Sequence, residues 1–254
     1  MTWSFDQRIA RAIELSNTFP SASSILSFYR EIAGFQKSVS ASVEAERSTE
    51  VRALVRHFPA LLGLVQRIGP VPAAEYARAH LQDRDAQEGL LAGYWEQEAI
   101  SGILGDDAAR FYARILLQPF GEYLASRGDI QTDRAEPVCP FCGSRPVVAV
   151  LRGEGDGGKR WLLCSLCATE WQYRRVICPG CGEENKDKLP IYIASEYDYI
   201  RVDACDNCRT YIKSVDMTKN GHAVPVVEEI ATVALNIWAE EHGYLKLEPN
   251  LLGM

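Results

Sequence analysis

Cysteine is the residue whose spacing in this sequence most directly predicts chemistry. All eight cysteines fall into four Cys-x-x-Cys pairs, and all of them lie in the second half of the 254-residue chain. Two thiolates separated by two residues can reach one metal ion from a single tight turn, and two such turns complete a tetrahedral site of four sulfurs. The sequence therefore predicts two metal sites, with these ligands: Cys139, Cys142, Cys164, Cys167, Cys178, Cys181, Cys205 and Cys208.

The four pairs form an internal repeat of two copies. A Cys-Pro-x-Cys-Gly turn at 139–143 recurs at 178–182, and a second Cys-x-x-Cys turn at 164–167 recurs at 205–208. The two turns are separated by 21 residues in the first copy and by 23 in the second. Pairing of turns within each copy is the economical arrangement, and pairing across the copies is the alternative.

The residues around the turns suggest how the sulfurs are held. Gly143 and Gly182 suit a left-handed backbone that aims N–H groups at thiolate sulfurs. The second turns carry Ala168 and Arg209 at the equivalent place, so we expect looser or different hydrogen bonding to sulfur there. An arginine stands four residues before the second turn of each copy, at 160 and 201, and we interpret both arginines as braces of the modules.

The ligand type leaves the metal open, because four thiolates suit zinc and iron almost equally well. A disulfide framework is one alternative for these cysteines, and redox-active dithiols are another. A thioredoxin-like dithiol needs only one Cys-x-x-Cys, at the start of a helix. The first residues show no signal peptide, so we expect a cytoplasmic protein whose cysteines stay reduced.

Charge and hydropathy exclude several function classes. The chain has 27 basic and 34 acidic residues, a formal charge of −7, and neither half carries a basic excess. Nonspecific nucleic-acid binding needs clustered Lys and Arg, so no nucleic-acid partner is predicted. No apolar window is long enough to span a bilayer, so membrane insertion is not predicted either. The sequence defines no oligomeric state.

The first half has the composition and the periodicity of a helical domain. Helices are predicted at 5–16, from 21 through 35, from 48 to the stop at Gly69-Pro70, and near 72–82, 84–102 and 106–127. Pro119 lies inside the last of these and should kink it. The apolar stripes are interpreted as bundle core, and no catalytic residue is predicted.

The second half has short β-type runs after a polar linker at 128–137. Strands are predicted at 147–151, 160–163, 189–193 and 199–202, with a hairpin turn at 153–158. A closing helix at 225–243 is expected to pack on the second module. The predicted domains are a helical domain at 1–133, a first four-cysteine module at 134–176, and a second module with the closing helix at 177–254.

Several stretches of the second half resemble the formate dehydrogenase accessory protein family, FdhE. They are CPFCGSRPVV, RWLLCSLCATEW, CPGCG, RVDACDNCRTYIKSVD and the helical ATVALNIWAEEHGY. The resemblance implies an α+β fold, with a helical N-terminal domain, two tandem rubredoxin-like or zinc-ribbon-like modules and a C-terminal helix. It also implies rubredoxin-type sites, so two metal ions are expected in the four-cysteine sites, with iron favoured and zinc the alternative.

The resemblance further implies a function in assembly. A member of this family is a cytoplasmic, non-enzymatic accessory protein that binds the catalytic subunit of a respiratory formate dehydrogenase before its export and is needed for its activity. Two other classes stay open from the residues. One is a zinc-ribbon adaptor with purely structural metals, although the missing basic face disfavours it. The other is a small electron-transfer or thiol redox protein.

Overall fold

The first half of the chain is helical. The computed structural model describes residues 3–96, 107–133, 136–154 and 157–254. In the first two of these ranges the α-helices are α1 Phe5–Thr18, α2 Ser23–Glu46, α3 Phe58–Ile68, α4 Val71–His80, α5 Arg84–Trp95 and α6 Asp107–Arg127. The predicted end of the fifth helix, at 97–102, and the start of the sixth, at 106, lie outside the described residues.

The ends of these helices follow from local chemistry. Ser4 and Gln7 form a reciprocal capping box at the start of α1. The predicted helix from residue 48 instead begins as a 3-10 helix, Val51–His57, before α3 starts. Pro59 explains this difference, because it has no N–H to bond the Val55 carbonyl, and the N–H of Phe58 takes that carbonyl instead. Helix α3 ends at Gly69-Pro70 as predicted.

Helix α6 continues through Pro119, and a side chain from another helix compensates for the missing N–H. In a continuous helix the N–H of residue 119 would bond the Ile115 carbonyl. Here the buried amide of Gln36, on α2, donates to that carbonyl at 3.1 Å and also to the Gln118 side chain at 2.9 Å. The proline therefore ties α2 and α6 together through a polar contact inside the apolar core.

The second half builds one sheet. Its strands in the described residues are β1 Pro146–Glu154, β2 Gly157–Cys164, β3 Glu170–Tyr173, β4 Ile191–Ile193, β5 Ile200–Cys205, β6 Thr210–Asp216 and β7 Leu245–Lys246. The order is β3-β2-β1-β6-β5-β4, and β7 pairs with β6. Strands β1 and β2 form the predicted hairpin, with residues 155–156 of its turn outside the described residues.

The sheet order reflects the sequence repeat. Strands β1, β2 and β3 of the first copy correspond to β4, β5 and β6 of the second, so the two copies lie side by side in the same orientation. The seam between them is a parallel pairing of β1 with β6, from Ala149↔Ser214 to Leu151↔Asp216. One sheet therefore spans both copies, and the helical half, sheet and closing helices form an α+β fold, as predicted. The division at 133/134 and 176/177 stays a prediction.

The closing helix is two helices, α7 Pro225–Ala231 and α8 Val233–Glu241, where one was predicted. The break lies at Thr232, and the buried ammonium of Lys213 donates to the Glu229 and Thr232 carbonyls there. Glu229 in turn pairs with Lys213 at 2.9 Å and with Lys246. Burial opposes ionisation of Glu229, but these two ammonium groups lower its pKa to about 2.

The two closing helices pack on different partners. Trp238 on α8 lies against Tyr192 of the second copy, with ring centroids 4.7 Å apart, as expected for a helix that covers that module. Helix α7 lies instead between α1, α2 and strand β1. There the buried Glu228 accepts a hydrogen bond from Arg11 of α1 at 2.6 Å. The closing segment therefore joins the helical half to the sheet.

Within the described part of the chain, no helix combines the length and the apolar character that a bilayer span requires.

The contact between Gln36 and the Ile115 carbonyl gives a first testable prediction. Gln36→Leu leaves that carbonyl without its donor, so we expect the free energy of unfolding to fall by ~1–3 kcal/mol. In a Pro119→Ala background the restored N–H can bond the same carbonyl, so Gln36→Leu should cost at least ~1 kcal/mol less there. Urea unfolding of the four proteins measures this coupling. Additive effects of the two substitutions would show that Gln36 does not compensate for Pro119.

Candidate metal centres

The structure brings the eight cysteines together in two groups of four. Each group combines the two turns of one copy, and its four Sγ atoms all lie within 4.8 Å of one another. The first centre is Cys139, Cys142, Cys164 and Cys167, and the second centre is Cys178, Cys181, Cys205 and Cys208. The prediction of two four-cysteine clusters is thus confirmed, and the alternative of pairing across copies is wrong.

The sulfur spacing fits a tetrahedral ion. Sulfurs of the first centre lie 3.4 Å (Cys142 to Cys164) and 3.5 Å (Cys139 to Cys167) apart. In the second centre the Cys178–Cys208 and Cys181–Cys205 sulfurs are each 3.7 Å apart. A metal–sulfur distance of about 2.3 Å gives a tetrahedral edge of ~3.8 Å, whereas a disulfide needs about 2.05 Å. The eight cysteines form no disulfide with one another, so the disulfide alternative is wrong for this structure.

In all four turns the residue after the second cysteine has a left-handed backbone conformation. The φ angles there are 72° at Gly143, 77° at Gly182, 52° at Ala168 and 58° at Arg209. The second turns therefore keep the conformation of the first, although it costs a non-glycine residue ~1–2 kcal/mol. The expected difference in hydrogen bonding to sulfur therefore does not come from the backbone conformation.

Backbone donors reach the sulfurs in both kinds of turn. The N–H of Phe141 points at the Cys139 sulfur at 3.4 Å, and the N–H of Leu166 points at the Cys164 sulfur at 3.3 Å. The N–H of Gly180 makes the equivalent contact with Cys178 at 3.3 Å. Such donors stabilise thiolate charge beside a metal ion.

Contacts of its side chain hold Arg209 in its strained conformation. The guanidinium lies 4.0 Å from the ring centroid of Tyr244 and donates to the His242 carbonyl at 2.6 Å. It also pairs with Asp206, inside the same turn, at 3.0 Å. The fourth turn is therefore fastened to the end of α8, and these contacts offset the cost of a left-handed arginine.

A threonine hydroxyl contacts one sulfur of each centre, which the sequence reasoning missed. Thr169 Oγ1 lies 3.1 Å from the Cys167 sulfur, and Thr210 Oγ1 lies 3.0 Å from the Cys208 sulfur. The signal was present, because both copies read Cys-x-x-Cys-x-Thr at their second turn. A hydroxyl that donates to a thiolate ligand adds to the outer hydrogen bonding of a metal site.

The two centres differ in burial. Three cysteines of the first centre are buried and Cys142 is half-buried, whereas Cys181 of the second centre is exposed and Cys208 is half-buried. Burial raises the pKa of Cys178 to about 12. At Cys181 burial also opposes the thiolate, but a hydrogen bond from Asn207 and the Glu183 backbone lower the pKa to about 7. The second centre therefore faces solvent on one side.

Helix α6 of the helical half covers the first centre. A Cβ placed on Gly121 would lie 3.3 Å from the Cys167 Cβ and 3.4 Å from the Trp95 ring. The side chains of Arg114 and Gln118 both donate to the Ser165 carbonyl, inside the second cysteine turn along the chain (164–167), at 3.1 and 2.8 Å. Sequence reasoning gave this helix only a core function, because long-range contacts leave no local motif.

Arg160 and Arg201, which occupy matching positions in the two copies, contact no sulfur among the described residues. Arg160 donates to the Ile177 carbonyl at 3.2 Å, which lies directly before the first cysteine of the second copy. Arg201 lies 2.8 Å from the Asp203 carboxylate on the same strand. Arg160 thus connects the two copies, which agrees with a bracing function.

The donor set decides which ions these centres fit. Four sulfurs suit zinc, iron or other thiophilic ions, and they do not suit magnesium or calcium, which take oxygen ligands. Four protein ligands also complete a tetrahedron and leave no open position for a substrate. The assignment of the eight cysteines as ligands stays a prediction.

Burial predicts the order in which metal leaves. With excess chelator we expect two phases of release, with the second centre emptying at least ~10 times faster, because the first must open locally before a chelator enters. A Cys181→Ser variant identifies the phases, since it should lose the fast phase and keep the slow one. Loss of the slow phase in this variant would contradict the assignment.

Close packing at Gly121 makes a separate prediction. Gly121→Val should push α6 away from Cys167, lower the free energy of unfolding by ~1–3 kcal/mol and speed metal release from the first centre alone. Gly34→Val is the matched control, because a Cβ at Gly34 meets nothing within 4 Å. Unchanged release from the first centre in Gly121→Val would show that α6 does not seal it.

Comparison with known proteins agrees with this architecture. Family models match two consecutive segments, "FdhE, central domain" at 138–175 and "FdhE, C-terminal domain" at 176–252. The chain is similar to a "Protein FdhE homolog" of Aquifex aeolicus, with 37% identity over 203 residues that cover 78% of this chain and 70% of that protein. A homolog of the same name from Pseudomonas aeruginosa is 32% identical over 72% of this chain and 62% of its own length.

A solved structure shows the same fold. The crystal structure of the FdhE protein from Pseudomonas aeruginosa superimposes with a TM-score of 0.68, covering 98% of this chain and 95% of that chain at 22% identity. The sequence relatives carry the assignment of family, and the structural match carries that of the fold. The chain belongs to the FdhE family.

Proposed function

We propose that this chain is a cytoplasmic, non-enzymatic accessory protein that assembles or activates a respiratory formate dehydrogenase by binding its catalytic subunit before export. The observation that carries the proposal is a pair of four-cysteine clusters in a member of the FdhE family. The net charge of −7 agrees with a protein partner, since nucleic-acid binding needs a basic face.

The eight cysteines are proposed to hold two metal ions, with iron favoured and zinc the alternative. The first centre lies between α6 and the sheet, so its ion would join the helical half to the first copy. An iron ion in such a site can change oxidation state, whereas a zinc ion cannot. Metal binding would also supply folding free energy, because the unfolded chain does not hold four sulfurs together in a preformed site.

A chaperone-like function fits the closed coordination. Catalytic metal sites keep a position for substrate, whereas each set of four sulfurs here fills a tetrahedron from the protein alone. The ions would therefore shape or charge a binding surface and would not contact a substrate. This is the physical argument for a non-enzymatic protein.

Electron transfer is a second candidate, and the exposure of Cys181 favours it. An exposed sulfur ligand would give a redox partner a short path to the second ion. This candidate requires iron in that centre and a change of oxidation state during function.

Co-purification tests the main proposal. The tagged, metal-loaded chain is co-expressed with the catalytic subunit of a formate dehydrogenase, and the subunit of an unrelated molybdenum enzyme serves as the control client. We expect capture of the first subunit alone, two metal ions per chain and, for iron, a red colour from thiolate-to-iron charge transfer. Failure to capture the subunit with both centres loaded would contradict an accessory function. Reversible reduction of the iron without capture would favour the second candidate.

A further inference from the structure

A cavity of about 290 Å³ lies where the two copies meet. Arg160 from β2, Arg201 and Asp203 from β5, and the segment before the second centre contribute to its walls. Cys178 and Cys205 line one side, but Cys181 and Cys208 do not, so the cavity is separate from the space enclosed by the four sulfurs. Its volume lies just below the usual range for ligand sites, about 300–1,000 Å³.

The cavity contains a buried guanidinium, that of Arg160, with only part of its hydrogen-bonding capacity satisfied. Arg160 is 3% exposed, and its Nε and Nη2 atoms make no hydrogen bond among the described residues. Its Nη1 atom reaches the Ile177 carbonyl, and Nη2 lies 3.7 Å from the Asp203 carboxylate, too far for a hydrogen bond. Leaving buried donors unsatisfied costs about 1–3 kcal/mol, and more for a charged group.

A single carboxylate serves two guanidinium groups here. Asp203 lies 2.8 Å from Arg201 Nε and accepts a hydrogen bond from the Ser214 hydroxyl at 2.7 Å. The set of the buried Arg160 and the half-buried Arg201 and Asp203 therefore carries one net positive charge. Arg175 and Lys186 also line the cavity, so its side chains keep a positive excess even beside a filled four-thiolate centre, whose net charge is negative. The local field favours an anion.

Most of the remaining lining is apolar. It includes the side chains of Ile177, Leu189, Ile191, Ile212 and Leu247. A hydrated inorganic ion would leave these surfaces without a partner, whereas an aliphatic or aromatic body would cover them. The cavity thus combines one unneutralised positive charge with largely apolar walls.

We propose that this cavity binds a small organic monocarboxylate, whose charged end bonds Arg160 and whose apolar body fills the space between the two copies. A planar carboxylate matches the fork of a guanidinium, and one negative charge balances the excess of the set formed by Arg160, Arg201 and Asp203. Phosphate carries more charge and has no apolar part. The inference is independent of the proposed function, because it concerns this cavity and not the client.

Titration calorimetry of the full chain with both metal sites loaded tests the inference. Hexanoate is the probe, hexanamide is its uncharged counterpart, and inorganic phosphate is the control for nonspecific anion binding. We expect one hexanoate per chain, with hexanamide and phosphate each at least ~10 times weaker, as expected when one well-placed ionic contact is lost. Equal binding of hexanamide, equal binding of phosphate, or no binding of hexanoate at millimolar concentration would overturn the proposal.

Surface variants locate the site without disturbing the core. Ile191 lines the cavity and is 51% exposed, so Ile191→Glu should weaken hexanoate binding by at least ~10-fold through charge repulsion. Ile193→Glu on the same strand is the matched control, since Ile193 is exposed and does not line the cavity. Lys186→Gln and Lys188→Gln form a second such pair, in which the first should weaken binding and the second should not.

Arg160→Met tests the buried guanidinium directly. It should abolish hexanoate binding while the chain keeps both metal ions. If this variant does not fold, the two surface pairs still decide the matter, because equal affinities within both pairs would overturn the location.

Discussion

Convergence of four thiol sulfurs within 4.8 Å of one another, twice in one chain, is the constraint on which the rest of this structure depends. Four thiolates at such separations repel one another, and a cation in the centre converts that repulsion into attraction. The left-handed residues after each turn, the backbone donors and the threonine hydroxyls all serve to hold sulfur in this arrangement. Ala168 and Arg209 both adopt a left-handed backbone despite its cost to a non-glycine residue, which shows that the turn geometry takes precedence over local strain.

The two copies share this constraint, but the surroundings of their centres differ. The parallel seam between β1 and β6 places them in one sheet, yet α6 covers the first centre and solvent reaches Cys181 of the second. The ion of the first centre would therefore act as part of the core, and that of the second would lie at a surface. Arg160, which connects the two copies, lines a cavity in which basic side chains outnumber acidic ones. The two copies thus form a buried centre, a partly exposed centre and a cavity where the copies meet.

Much of this could be predicted from the sequence, because the information is local. Cysteine spacing predicted both clusters, and glycine predicted the left-handed backbone of the first turns. Apolar periodicity predicted the helices, apart from the positions of their ends. The break at Thr232 could not be predicted, since it depends on Lys213, which is distant in sequence and buried at the same place. The same holds for Gln36, which takes the carbonyl that Pro119 leaves free, and for the cover that Gly121 permits over Cys167. Each of these depends on a contact between residues that only the tertiary fold brings together.

X-ray absorption spectroscopy at the metal edge, combined with metal analysis of the same purified protein, tests the central claim most directly. Two ions per chain, each surrounded by four sulfurs at about 2.3 Å, are the predicted result. A folded protein that contains no metal, or ions bound mainly by oxygen or nitrogen, would contradict it.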